Sequence, residues 1–287
     1  MLAISSNNFS PAKPLTTSDL RMKYYKSPAD WTPAAPNPFS TDGRYGPEWI
    51  CFIIDGLSRM NCRCGGGKNG LFTFILGADT PDLKCRLADF LRYNERHKRN
   101  VIISCPEFIE LEKFIAQALA ETPDESFVRP SDPRWVVHST TLAAWNDIRQ
   151  DAMLKSLALL REEGKQLIGL GMEKLGDPLE FANYVMLAPM EAVSPEIVIA
   201  SRMENQIMDD PDRPYEPGVR LYFDNHLIIR NGLAVRDGIH NIKVHRSLPL
   251  SPYMAAAVTA KDLPRQTWCP RTFCKAANRL FPGKIND

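Results

Sequence analysis

The stretch TPDESFVRPSDP, Thr122 to Pro133, sets three prolines among polar residues between two segments of different grain. Proline fixes φ, lacks an amide hydrogen and restricts the residue before it, so neither a helix nor an inner strand runs through such a stretch. It predicts a boundary near residue 130. Before it, WICFIID and LFTFIL read as strands, with the glycine-rich CRCGGGKNG between them as a loop or hairpin connection. DTPDLKCRLADFLRYNERHKR then predicts a helix, with Thr80 as cap, Pro81 at the first helical position, and Leu83, Leu87, Phe90 and Leu91 at helical spacing. SCPEFIELEKFIAQALAE predicts a second, capped by Ser104 and started by Pro106, with Phe108, Leu111, Ile115 and Leu119 on one face.

After the boundary the pattern changes. RWVVH leads into a helical TLAAWNDIRQDAM, and short strand-like runs follow at NYVMLA, VRLYFD, LAVRD and NIKVH between Gly, Pro and Asp-rich turns. Residues 1–47 are rich in Pro, Ser, Thr, Asn and Gly and predict an extended arm. Residues 256–287 are Pro-rich and basic and predict a packed tail with a frayed end. The expected fold is α+β: an arm over 1–47, an N-terminal lobe over 48–130, a strand-rich lobe over 131–255 and a tail over 256–287.

The charge balance narrows the choice of partner. Thirty-five Lys and Arg stand against 34 Asp and Glu, so affinity for nucleic acid has to come from a local patch. The seven cysteines are odd in number and scattered, and MLAISSNNFS has neither a charged start nor an apolar run. Neither secretion nor a disulfide framework is expected. The longest apolar run, WICFII, is too short to span a bilayer, which points to a cytoplasmic or nuclear protein without a membrane partner. Cys62 and Cys64 form a C-x-C pair and Cys269 and Cys274 a C-x4-C pair, with Cys51 alone. These are not the spacings of a structural zinc site, and no metal is expected. GGGKNG lacks the flanking residues of a phosphate loop, and the commonest hydrolase, metalloprotease and dinucleotide motifs are missing.

Two constellations carry candidate chemistry. Arg92, Arg96 and Arg99 fall at i, i+4 and i+7, with His97 and Lys98 beside them. Such a stripe can hold a phosphate, or can simply be a solvated helix C-terminus favoured by the helix dipole. His138 ends an apolar strand and is followed by Ser139, Thr140 and Thr141, which offers imidazole and hydroxyls to a small polar ligand. The same residues suit a plain helix N-cap by Ser139 or Thr140. His226, His240 and His245 have no ligand-like spacing and are expected at the surface or in turns.

Taken in order, these segments resemble the NAD-dependent RNA 2'-phosphotransferases of the KptA type. LADFLRYNERHK is similar to that family's L-x-x-x-L-x-Y-x-L-R-H helix, with Leu87, Leu91, Tyr93, Arg96 and His97 in register. VVHSTTLAAWNDIRQDAML resembles its H-G-T-x-x-x-x-W-x-x-I-x-x-x-G-L segment, with Ser139 at the glycine. NYVMLA stands at H-V-H-L-A with Met186 at the second histidine, and ASRM stands at S-G-M-R. VRLYFDNHLIIRNGLAVRDGIHNI resembles the later strand, helix and G-I-x-F-Y-R-S-x-N-G-V stretch. The resemblance spans about residues 83–245.

It implies a winged-helix-like second half of the N-terminal lobe and an ADP-ribosyltransferase-like lobe that takes NAD as a substrate. The implied reaction moves an RNA 2'-phosphate onto NAD, releasing nicotinamide and then ADP-ribose cyclic phosphate, with transfer RNA among the implied substrates. Arg96 and His97 would hold the RNA phosphate and Arg202 the pyrophosphate or transferring phosphate. His138, Ser139 and Thr140 would line the NAD ribose, Tyr184 or Met186 the nicotinamide side, and Arg236 would be a lesser contact. Two other functions fit the same residues: an ADP-ribosyltransferase acting on a nucleic-acid phosphate or a protein, and a noncatalytic nucleotide- or RNA-binding interaction protein.

Overall fold

A computed structural model describes residues 23–56, 63–123, 126–167, 169–240 and 242–285. The first half is organised by β1 (Tyr24–Lys26), β2 (Trp49–Asp55), β3 (Arg63–Gly66), β4 (Phe72–Gly77), α1 (Leu83–Arg96), β5 (Asn100–Ser104) and α2 (Leu111–Glu121). The strands lie in the order β1-β5-β2-β4-β3, parallel except for β3, which runs antiparallel to β4. Parallel strands are buried on both faces, which is why β2 and β5 are near-continuous apolar runs. On one face Phe52 and Phe74 pack on Phe90 of α1, and the Phe52 and Phe90 centroids lie 5.1 Å apart.

The other face corrects the expected arm over residues 23–47, residues 1–22 lying outside the described residues. β1 is the edge strand, and Trp31 and Tyr45 close over Trp49, Cys51, Leu71 and Ile102. The Trp31 indole donates to the Tyr45 hydroxyl at 3.1 Å, and that hydroxyl donates to the Ala35 carbonyl at 3.1 Å. A parallel sheet with helices on one side only needs a second cover, and aromatic residues supply it. Prolines around them reduce the entropy lost on ordering.

Other expectations shift with the tertiary context. α1 begins at Leu83, with Asp82 rather than Thr80 at the cap position. Ser104 closes β5, Pro106 opens a turn, and Phe108 is exposed; α2 starts only at Leu111. The second half of the N-terminal lobe holds α1, β5 and α2. The boundary segment is clamped to both halves. Arg129 makes two bonds to Asp89 of α1, at 2.5 and 2.8 Å, and Asp132 receives two from Arg236, at 2.7 and 2.8 Å.

The second half contains β6 (Trp135–Thr140), α3 (Leu142–Asp151), β7 (Met153–Lys155), α4 (Leu157–Glu162), β8 (Tyr184–Pro189), α5 (Ser194–Glu204), β9 (Val219–Asp224), α6 (Asn225–Arg230), β10 (Ala234–Val235), β11 (Ile242–His245), β12 (Ser247–Pro249), β13 (Met254–Thr259) and α7 (Pro270–Ile285). Six strands form an antiparallel sheet in the order β10-β11-β8-β6-β9-β13, while β7 pairs with β12 alone. One face, with Val136, Leu221 and Phe223, packs on α3 and α6. Val137 and Tyr222 on the other face pack on α7, where the Tyr222 and Phe281 rings stack at 4.2 Å. The chain is thus a mixed α+β protein.

Candidate functional site

The six-stranded sheet opens at one point. β6 pairs with β9 over six residues, Trp135 to Thr140, but with β8 only at Val136–Pro189 and Val137–Ala188. Past that pair β8 and β6 separate, and His138 is the first residue of β6 beyond the split. Its Nδ1 lies 3.1 Å from the Met186 carbonyl oxygen, so the ring takes over a bond the ladder no longer makes.

That bond fixes the proton. A carbonyl only accepts, so Nδ1 must carry the hydrogen and donate, which leaves Nε2 with a bare lone pair when the ring is neutral. Burial pushes the His138 pKa down to about 4, against the pull of the Met186 carbonyl, and the nearby Arg202 charge lowers it further. At neutral pH His138 is therefore a fixed hydrogen-bond acceptor. Arg202, near the end of α5, is exposed, and its side chain has no hydrogen-bond or ion-pair partner among the described residues. Surrounding protein nevertheless lowers its pKa by desolvation.

Strand alternation separates the neighbours of His138. Thr140 shares its face and is buried, whereas Ser139 points the other way and donates to Glu196 Oε1 at 2.5 Å. Ser139 is thus not a side chain available to a ligand on the His138 face. Neither Ser139 nor Thr140 caps α3; Thr141 does, accepting from the Ala144 amide at 3.2 Å. Trp145 and Ile148 hold α3 against the sheet. Gly218 is required beside Thr140, because a Cβ there would lie 1.9 Å from the Thr140 carbonyl oxygen.

The predicted basic stripe is divided. Arg92 donates to the Leu119 carbonyl at 2.9 Å and the Thr122 carbonyl at 3.2 Å, capping the end of α2. Arg99 makes a two-bond ion pair with Glu180, both at 2.6 Å. The His97 ring lies tilted against Tyr93, centroids 4.2 Å apart, and its Nδ1 bonds the Tyr93 carbonyl at 2.9 Å. Arg96 is exposed. Burial raises the Tyr184 phenol, and the Tyr93 hydroxyl and the Arg96 charge partly offset it, which places Arg96 near Tyr184.

The expected residues therefore form two groups. Arg96 and His97 lie at the end of α1, where Tyr93 meets Tyr184 of β8, and His138, bonded to the Met186 carbonyl, has the Arg202 charge nearby. Arg236 belongs to neither, since it is buried against Asp132 and the Phe127 carbonyl. Against Tyr93 and Tyr184 lies a cluster absent from the sequence expectations. Lys243 is fully buried, bonded to Asp237 at 2.7 Å, with its Nζ 3.7 Å from the Tyr93 centroid and 4.4 Å from that of Tyr184. His240, in the turn that follows Asp237 as its expected turn position allows, also reaches that carboxylate, at 2.8 Å.

Among the described residues no three His, Cys, Asp or Glu side chains are grouped as metal ligands, and Cys62 lies outside those residues. No helix among the described residues is long and apolar enough to cross a membrane. No protein-family model matches the chain, and no curated protein or solved structure does either.

The neutral ring carries a pH signature. Unfolded, His138 titrates near the ordinary 6.5; folded, near 4. The unfolded chain therefore takes up the proton first, so the stability tied to the neutral ring is complete above pH 6.5 and is lost as pH falls towards 4. The difference between the wild type and His138→Gln, whose amide can still donate to Met186, should amount to as much as about 3 kcal/mol across that window. Urea titrations at pH 7.5 and 4.5 measure it, and parallel pH profiles for the two proteins would show that the ring is not buried as described.

Proposed function

We propose that this chain is an NAD-dependent transferase that removes a 2'-phosphate from RNA. The observation that carries the proposal is the opened sheet, where an acceptor-only His138 nitrogen and an unpaired arginine stand together. A dinucleotide offers matching groups, namely ribose hydroxyls that donate to Nε2 and a pyrophosphate that takes a guanidinium fork. Tyr184 and Met186, half-buried on β8, supply the apolar wall for nicotinamide. Arg96, exposed at the end of α1, would meet the RNA phosphate.

In this reading the RNA 2'-phosphate oxygen bonds to the ribose carbon that nicotinamide leaves, and nicotinamide departs with the bonding electrons. The adjacent ribose hydroxyl then attacks phosphorus, and the RNA 2'-oxygen leaves and takes up a proton. The chain's part is positioning and charge stabilisation, which arginines perform without covalent chemistry. The ADP-ribosyltransferase-like lobe belongs to the same proposal.

A second reading has its own observation. With Arg92 and Arg99 locked into internal bonds, the grip on a transferring phosphate is thin, which favours ADP-ribosyl transfer that stops after the first step. Incubation with NAD and a 2'-phosphorylated RNA, followed by mass spectrometry, separates the outcomes. Cyclic-phosphate product supports the first and a stable ADP-ribosyl adduct the second. No product together with no NAD binding by calorimetry leaves a noncatalytic binding protein.

A further inference from the structure

α7 buries one side and presents only positive charge on the other. Phe273, Ala277 and Phe281 are packed inward, while Arg271, Lys275 and Arg279 at i, i+4 and i+8 are exposed. Each step of four residues advances about 6 Å, so the three cations form a row about 12 Å long. Just ahead of the helix, Lys261 and Arg265 are exposed along a broad depression of about 720 Å³. Residues 261–285 hold six Lys or Arg and one Asp, although the whole chain is only +1, so the remainder is net negative.

Ordinary causes do not account for this face. The helix dipole favours cations in the last turn and disfavours them in the first, where Arg271 lies. Arg271 does pair with Asp212, at 2.7 and 3.1 Å, and Lys275 lies within electrostatic reach of the same carboxylate. Both members of that pair are exposed, so the pair is weak and exchangeable. Arg279 makes no ion pair among the described residues.

The shape of the face selects the partner. An outward row of cations meets a polyanion along its length, whereas a small anion needs converging donors. A membrane surface would also require exposed apolar side chains, and here the apolar side of α7 is spent on the sheet. The depression is lined by Pro217 as well, next to Gly218, which abuts Thr140 two residues beyond His138.

We propose that α7, with Lys261 and Arg265, docks the phosphate backbone of single-stranded RNA and leads it towards the opened sheet. This rests on RNA being the substrate proposed above. Binding of a fluorescein-labelled 15-nucleotide RNA without a 2'-phosphate, read by anisotropy without NAD, tests it separately from the chemistry. Lys275→Ala/Arg279→Ala removes two contacts, so the slope of log K against log salt should flatten by about 1.4, with binding on the order of ten- to thirty-fold weaker at 0.1 M salt. Lys84→Ala/Lys113→Ala, an equal loss of charge elsewhere, should change binding less than two-fold. Asp212→Asn, which frees Arg271, should tighten it. Equal weakening by both double variants, no weakening by the α7 pair, or capture by phosphatidylserine vesicles in place of RNA overturns the assignment. Face-dependent RNA binding without nicotinamide release would overturn only the transferase reading.

Discussion

Arg220→Ala is expected to cost about 3–5 kcal/mol of folding stability, the range for an unpaired charge left in the interior. Arg220 and Glu196 are both fully buried. Glu196 Oε1 accepts from Arg220 at 2.9 Å and from Ser139 at 2.5 Å, and Oε2 accepts from Tyr215 at 2.8 Å. The second Arg220 amine donates to the Met190 carbonyl at 2.6 Å and the Ala192 carbonyl at 3.1 Å. Removing the guanidinium strands a carboxylate and frees two carbonyls, whereas Glu196→Gln keeps the shape and removes the charge. Arg220→Lys should not rescue, because one ammonium cannot span the acceptors that a planar fork reaches. Glu196→Met/Arg220→Met should recover part of the loss, the remainder reflecting the hydroxyls of Ser139 and Tyr215, which lose their acceptor. Urea midpoints measure the series, and an Arg220→Ala cost under 1 kcal/mol would mean that the pair is wetter than described. Since Ser139 lies between His138 and Thr140, the same variants should also loosen the opened edge of the sheet.

The network shows why the fold was more legible than the site. Apolar runs and helical spacing depend on near neighbours, so β2, β4, β6, β8, β9 and α1 could be read from the chain. Arg220 and Lys243 could not be assigned, because a charge is read as exposed until its partner is known, and Glu196 and Asp237 are set by tertiary packing. A signal was present in both cases: Arg220 falls between Val219 and Leu221, and Lys243 between Ile242 and Val244. A charge inside an apolar strand run must have a buried partner or mark an edge. Ser139, which stands at a glycine of the resembled motif, is turned away from the face of His138 by the period of two. The basic stripe misled for a different reason: helix geometry put Arg92 and Arg96 side by side, but the C-terminus of α2 and Glu180 captured Arg92 and Arg99.

Arg202→Ala is expected to lower the rate of nicotinamide release by about 10²–10³, the loss usual for one well-placed electrostatic contact to a reacting anion. Its stability should hold, because the side chain is exposed and has no hydrogen-bond or ion-pair partner among the described residues. Arg202→Lys should recover only part of the rate, as a point charge replaces a two-pronged donor. A second consequence does not depend on turnover. The Arg202 charge disfavours protonation of His138, so removing it must raise the imidazole pKa above its value near 4. The His138 resonance, followed by NMR against pH, should titrate at higher pH in Arg202→Ala than in the wild type. If His138 must be neutral to accept a ribose hydroxyl, the acid limb of activity should move upward by the same amount. Coincident titrations in the two proteins would separate Arg202 from His138 and remove the anion site from the opened sheet. A shifted resonance with unchanged turnover would keep the site and take away its role in the reaction.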